Sequence, residues 1–387
     1  MNYRREILNK TSCFAEISSF IPKGGVAEYN VMFHIASRGS FSEQLTAIHV
    51  SLKELLLHPS FNQATVIFKR YFISDIVNQY DVLKSQLSEF SACATSIIQQ
   101  PPLDGSDVAL WLYIIKGEAN WDGATCWNGN DFTISHNGYK HVWSTNKQLP
   151  SGNVSEQTVK LLRDYNQFLT DNGFSIKDNC IRTWFFIQNI DTNYTAFAEA
   201  RKTYFAQNGL TNKSHYIAST GIEGCNASAQ SLVTMDAYSL QGAENRQIKY
   251  LYALSHLSHT YDYGVTFERG VAIKYGDRQQ IFISGTASID NCGNVLHKGN
   301  IKEQTFRIWE NIEALLNETD ATLDDITQII VYLRNSSDYN VVKNLFKDRF
   351  TNVPIAITLA LVCRQKWLIE MECIALNNNG NKIFRYY

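Results

Sequence analysis

One hydrophobic pattern runs through this chain three times. Each copy has a Glu-Gln pair, an apolar stripe at helical spacing, a strand-like run, and a tyrosine 35 to 37 residues after the glutamine. The first copy is Glu43-Gln44, then Leu45, Ile48, Leu52 and Leu55, the run VIFKRYFIS from Val66, and Tyr80. The second is Glu156-Gln157, then Val159, Leu162 and Leu169, the run IRTWFFIQN from Ile181, and Tyr194. The third is Glu303-Gln304, then Ile308, Ile312 and Leu315, the run ITQIIVYLRN from Ile326, and Tyr339. Apolar residues three and four apart make one buried helix face, and short β-branched, aromatic runs make buried strands. Three copies at one period predict a tandem repeat.

The third copy shows the element order most fully. Strand QQIFISGTASID leads to a turn, NCGNV, and a return strand. Helix IKEQTFRIWENIEALL, strand ITQIIVYLRN, helix SDYNVVKNLFKDRF and strands PIAITLALVC and WLIEMECIAL follow. The order is ββαβαββ, an α/β (α+β) unit whose mixed sheet carries two helices on one face. The repeat divides the chain into an N-terminal extension (1–25), unit 1 (26–118), a turn-rich linker or insertion (119–137), unit 2 (138–245) and unit 3 (246–387). Unit 3 is expected to begin with an inserted helix over QIKYLYALSHLSHTYDYG. In WLIEMECIAL the period of two puts Glu370 and Glu372 on one strand face, opposite Ile369 and Met371.

Composition narrows the classes. The 387 residues are 44% apolar, 12% aromatic and 19% charged, a globular profile. A net charge of −2 supplies no basic field for nucleic acid, and no apolar run is long enough to span a membrane. The first twenty residues lack the apolar core of a secretory signal. The eight cysteines show no CxxC and no zinc spacing, so reduced, mostly buried thiols and a cytoplasmic location are expected.

Unit 3 resembles the RidA (YjgF-like) family in the strand ISGTASID, the helix EQTFRIWENIEALL, the strand VYLRN, Pro354 and the terminal strand IEMECIA. Proteins of that family are trimers with ligand clefts between subunits. Three such units in one chain imply an intramolecular pseudo-trimer that works as a monomer. A narrower resemblance is to chorismatases, multi-unit relatives that hydrolyse the enolpyruvyl ether of chorismate. It rests on RTWFFI (182–187), ASTGIEG (218–224), YGVTFERG (263–270), SGTASI (284–289), VCR (362–364) and IEMECIA, in that order across units 2 and 3. Unit 1 carries no comparable string.

Glu370 is the first candidate for catalysis. Its strand position matches the catalytic acid of chorismatases, and enol-ether hydrolysis needs a proton delivered to the terminal carbon. A carboxylic acid held in an apolar strand suits that step. Glu372 reads as its structural neighbour, and in unit 2 Thr234 and Asp236 occupy the related stretch. A dicarboxylate substrate needs cations that grip planar anions. Arg182, Arg201, Arg269 and Arg364 lie in or beside the matching strings, with Arg269 and Arg201 ahead. Ser219 and Thr220 in one turn, and Gly285 and Thr286 in the other, offer N–H and hydroxyl groups for cleft walls. Tyr216 is a candidate hydrogen-bond donor to a ring hydroxyl, with an interface role as the alternative. Cys363 has no histidine near it in sequence and reads as a pocket-lining thiol, and the resemblance ties that position to product choice, pointing to a hydroxybenzoate.

His256 and His259 are three apart on the expected helix, with no third metal ligand in view. Trp111, Trp184, Trp309 and Trp367 read as core or interface aromatics. RidA deaminases carry an arginine just after the family proline, whereas Pro354 is followed by Ile355, Ala356 and Ile357. The sequence therefore points to a cofactor-independent, chorismatase-like hydrolase acting on a small carboxylate. Its rivals are a RidA-type imine or enamine deaminase and a non-catalytic binding scaffold.

Overall fold

A computed structural model describes residues 2–8, 12–87, 92–117 and 123–387. Three six-stranded sheets account for most of it. Unit 1 comprises β1 (Asn2–Leu8), β2 (Cys13–Phe20), β3 (Ala27–Ile35), α1 (Phe41–Leu57), β4 (Thr65–Ile73), α2 (Ile76–Leu87), β5 (Ala94–Gln99) and β6 (Val108–Lys116). Unit 2 comprises β7 (Ala124–Asn128), β8 (Asp131–His136), β9 (Tyr139–Gln148), α3 (Val154–Asp171), the single turn α4 (Ile176–Asn179), β10 (Cys180–Ile187), α5 (Ile190–Gln207), β11 (Ala218–Glu223) and β12 (Val233–Gln241). Unit 3 comprises β13 (Ile248–Leu251), β14 (Gly270–Lys274), β15 (Gln279–Ala287), α6 (Ile301–Asn317), β16 (Ile326–Leu333), α7 (Tyr339–Arg349), β17 (Ile355–Leu359) and β18 (Ile369–Asn377).

The three sheets share one strand order, β1-β2-β3-β6-β4-β5 and its equivalents. The last two strands of that order are parallel in each sheet, because α2, α5 and α7 cross over between them. The rest of each ladder is antiparallel.

Each unit is one antiparallel strand longer than the ββαβαββ expectation, and this corrects four sequence readings. The residues set aside as an N-terminal extension supply β1 and β2 of the first sheet, and the expected linker contains β7 and β8 of the second. Residues 119–122 of that linker lie outside the described residues. The expected inserted helix is instead the strand β13 followed by an irregular segment with one 3₁₀ turn at Thr260–Tyr263. The strand leading into SGTASI is paired with β14, not with a return strand after NCGNV, where only the pair Ile289–Val295 bridges. All five strands lie at or next to a sheet edge, where partly exposed runs carry weak periodicity.

The Glu-Gln repeat has a concrete structural job. Ser40 with Glu43 and Asn153 with Glu156 form capping boxes at the starts of α1 and α3, and Asn300 accepts the Glu303 N–H at the start of α6. The glutamine that follows is buried in all three units and stitches the helix start to the loop before the last strand. Gln44 takes the Asp107 N–H at 2.8 Å, Gln157 the Leu232 N–H at 2.8 Å, and Gln304 the Leu368 N–H at 2.8 Å.

The units close into a ring. β5 packs on β9, β11 on β15, and β16 on β2 and β3. Ser18 donates across the last seam to the Thr327 carbonyl at 2.5 Å, and Gln99 and Cys225 bridge near the first. Every cysteine is a free thiol. Among the described residues no helix is long and apolar enough to cross a membrane.

Candidate active site

Strand register places the same position three times around the ring. The strand after the first helix pairs with the last strand as Ile73 with Val108, Ile187 with Val233, and Leu333 with Ile369. The next residue on the last strand is Ala109, Thr234 or Glu370. Two positions further it is Trp111, Asp236 or Glu372. Only unit 3 puts a carboxyl at the first of these positions.

Glu370 opens into a cleft between units 2 and 3 with about 520 Å³ of empty space, part of it open to solvent. The side chain is 4% exposed and makes no hydrogen bond or ion pair among the described residues. Burial, and then the charge of Glu372, pushes its pKa up to about 8, against the opposing pull of Arg182 and Arg269. A Cβ on Gly285 would collide with Glu370 Oε1, so only glycine leaves room for the carboxyl there.

Three arginines face the same space. Arg201, on α5, is 2% exposed, with its guanidinium 4.9 Å from the Phe197 ring centre, and its Nε and Nη2 have no hydrogen-bond partner. Arg269 donates Nη2 to the Ser258 carbonyl at 3.1 Å and leaves Nε unpartnered. Arg364 donates to the Gly293 carbonyl at 3.3 Å. Tyr263 stands between the last two, 5.3 Å from the Arg269 guanidinium and 4.8 Å from that of Arg364. None of the three arginines is ion-paired among the described residues. Buried cations without counter-charge are costly, so a cleft built this way favours an anion with more than one negative charge.

Cys363 lies beside Glu370 and Tyr194. Burial, followed by the Glu370 charge, pushes its thiol up to about 12, so it lines the cleft as a neutral thiol, not a thiolate. Ser219 also lines the cleft; its N–H is held by Ser284 Oγ at 2.8 Å.

Seven of the sequence candidates therefore meet in one place: Arg201, Ser219, Arg269, Gly285, Cys363, Arg364 and Glu370. Four do not line it. Arg182 is spent on Glu372, to which its Nη2 donates at 2.8 Å. Thr220 donates to the same Glu372 carboxylate and accepts the Gly285 N–H at 2.9 Å, so it supports the wall from behind. Thr286 bonds the Ser284 carbonyl at 2.9 Å and is fully buried. Tyr216 packs toward Phe205, and its N–H donates to Glu268 at 2.7 Å. Alternation along β11 and β15 separates Ser219 from Thr220 and Gly285 from Thr286, and the turn reading of ASTGIEG and SGTASI could not supply it.

Tyr194, Tyr263 and Trp367 line the cleft without having been chosen. A signal existed for the first, since Tyr194 and Arg201 are seven apart and share one face of α5. Trp367, read as a core aromatic, has its indole N–H tied to the Ser288 carbonyl at 2.9 Å and one face toward Arg364. His256 and His259 sit in the irregular segment, not on a helix. His259 stacks on Tyr261, and His256 meets Ser255.

Comparison with known proteins agrees with this organisation. The family model for Endoribonuclease L-PSP matches residues 269–377. A RutC family protein of Pyrococcus abyssi is 39% identical over 106 residues, which cover 27% of this chain and 82% of that protein. A RutC family protein of Saccharolobus solfataricus is 34% identical over 105 residues, with the same 27% and 82% coverage. The crystal structure of a chorismatase superposes on 80% of this chain and 93% of that one, with a TM-score of 0.60 at 15% identity, a likeness of fold. The strands and helices of unit 3 account for the family match, and units 1 and 2 repeat their order, so the chain belongs to the RutC family as three tandem RidA-like units.

Proposed function

We propose that the chain is a cofactor-independent, chorismatase-like hydrolase that releases pyruvate from the enolpyruvyl ether of chorismate. The observation that carries this reading is a buried, unpartnered carboxyl beside three arginines that have no carboxylate partners. Chorismate brings two carboxylates, enough to engage two of those cations at once. Glu370 donates its proton to the terminal methylene carbon of the enol ether. The ether carbon becomes an oxocarbenium ion, which the neighbouring substrate carboxylate and the shielded cleft help to stabilise. Capture by water and collapse of the hemiketal yield pyruvate and a dihydrodiol acid. Net elimination without added water yields pyruvate and a hydroxybenzoate, the outcome favoured by a thiol at Cys363. Glu370 then recovers a proton from solvent. The ring of three units makes a monomer sufficient for the whole cleft.

A 2-imino acid carries one carboxylate and would leave two of the three arginines unbalanced, against one for chorismate, which ranks the deaminase reading second. The test is pyruvate release from chorismate by the purified protein, with chromatography of the organic product. Pyruvate with a hydroxybenzoate or a dihydrodiol acid, abolished in Glu370→Gln, is the expected result. A folded protein that leaves chorismate intact but hydrolyses 2-aminoacrylate generated in situ would overturn it.

A further inference from the structure

Behind the cleft, on the axis of the ring, lies a second set of charges to which all three units contribute. Arg70 of β4 is fully buried inside four aromatic rings, 5.2 Å from Phe68, 5.4 Å from Trp111, 4.9 Å from Trp184 and 5.1 Å from Phe186. Its Nη2 donates to Asp236 of unit 2 at 2.8 Å, and its Nη1 stands 3.9 Å from Glu372 of unit 3. Nε and Nη1 have no hydrogen-bond partner. Glu372 is further held by Arg182 at 2.8 Å, by the Trp184 indole N–H at 2.8 Å and by Thr220. Asp236 also takes the Asn146 N–H at 2.9 Å.

The axis thus contains two cations and two carboxylates, and its charge closes to zero. Every bonded cation is taken by Asp236 or Glu372, and none is left for Glu370, two residues from Glu372 on the same strand face. We propose that Arg70 is a positioning residue for the cleft: it pairs with Asp236 and, beside Arg182, with Glu372, so that the axis is neutral and presents no net charge to Glu370. This rests on the reading of Glu370 as the acid. It gives the first unit, which has no cleft-lining motif of its own, a part in the chemistry between the other two.

The groups facing Glu370 are compatible with this division. From the cleft side they are Arg201 and Tyr194 on α5, Arg269 ahead of β14, and Cys363 and Arg364 before β18. From the sheet side they are Arg182, Glu372 and Tyr332. The cleft-side arginines are free to meet a ligand, whereas the axial ones are already committed. Coulomb interaction between close, poorly solvated charges carries a change on the axis to Glu370.

Changing one axial charge at a time tests the inference. Asp236→Asn leaves Arg70 unbalanced and is expected to make Glu370 ionise about one pH unit lower. Arg70→Met removes the cation and is expected to move ionisation the other way. The neutral double change Arg70→Met/Asp236→Asn, and the charge-keeping Arg70→Lys, are expected to titrate near wild type. The readout is the infrared carbonyl band of protonated Glu370, assigned by difference from Glu370→Gln, followed from pH 6 to 10 alongside near-ultraviolet circular dichroism. Where one single variant fails to fold, the other carries the test. The same titration point in every folded variant overturns the proposal, because a purely structural role would lower thermal stability without moving that point. The measurement uses no substrate, so it stands whether or not chorismate is turned over.

Discussion

Two clefts occupy equivalent places in the ring and are built for different ends. Between units 2 and 3 the last strand offers Glu370, and α5 offers Arg201 seven residues after Tyr194. Between units 3 and 1 the same positions are Ala109 and Phe346, the latter seven residues after Tyr339. That second groove is wide, with about 2120 Å³ of empty space open to solvent, and it too contains charged groups. Its buried charges, however, satisfy one another. His34 lies 3.4 Å from Glu16 and 3.6 Å from Asp104, and Glu16 also accepts the Ile355 N–H across the seam at 3.1 Å. The first cleft leaves its cations without counter-ions and its carboxyl without a cation. Charged groups whose partners are missing mark a place for a ligand, whereas charged groups that close on themselves mark a joint between units.

The sharpest way to break this contrast is at Glu370. Glu370→Gln is expected to lower kcat for pyruvate release by about 10³-fold, within the usual range for loss of a general acid. In the wild type, activity should hold at neutral pH and fall as pH rises through about 8, where Glu370 loses its proton. Unchanged turnover in the variant would remove the acid from the scheme.

The same substitution should stabilise the fold at high pH. The folded pKa of Glu370 lies above its ordinary carboxylate value, so its contribution is fully present below about 4.5 and is lost as pH rises through about 8. Thermal unfolding at pH 9 should therefore show Glu370→Gln more stable than wild type by roughly 3–5 kcal/mol, with little difference near pH 4. An equal effect at both pH values would mean that the carboxyl is not desolvated.

The joint between units 3 and 1 should respond to pH in its own way. Burial works against the His34 imidazolium, but Asp104 and Glu16 outweigh it and hold the pKa up at about 9. Its contribution, roughly 3 kcal/mol, is complete below about 6.5 and is lost as pH rises through about 9. His34→Gln should flatten that part of the stability profile, read by denaturant unfolding at pH 6 and 10, and leave cleft activity unchanged. A loss of pyruvate release in His34→Gln at pH 7 would couple the two clefts.

Smaller effects separate the roles of position and charge. Arg201→Met should raise KM about 10- to 100-fold, the loss of one charge-assisted contact, with a lesser change in kcat. Adding Ala109→Glu to the Glu370→Gln protein should restore no activity, since Phe346 stands where a cation is needed. Pyruvate release by that double variant would show that the second cleft lacks only its acid.

How much of this was legible from the chain follows from the range of each interaction. The helices announced themselves because the Glu-Gln pair and the apolar stripe fall within one short segment, and the repeat made the third unit a template for the other two. The shared strand face of Glu370 and Glu372 was legible because a strand's period of two assigns it without knowledge of its neighbours. Strands β1, β2, β7, β8 and β13 were not, because partly exposed strands at or next to a sheet edge carry little periodic signal. Arg182 and Arg201 look alike in sequence, each a single arginine in or beside a matching string, yet one is bound to Glu372 and the other is bare.

The chain by itself determined three copies of one α/β unit, the helix starts, and a carboxyl on one face of its last strand, since these depend on contacts a few residues apart. Only the tertiary structure decided which arginines have partners and that Arg70 of the first unit meets Asp236 and Glu372 of the others. Those facts depend on side chains 166 to 302 positions apart in sequence, brought together when the ring closes. Pairing of buried charge is a property of that closure, and no local pattern encodes it.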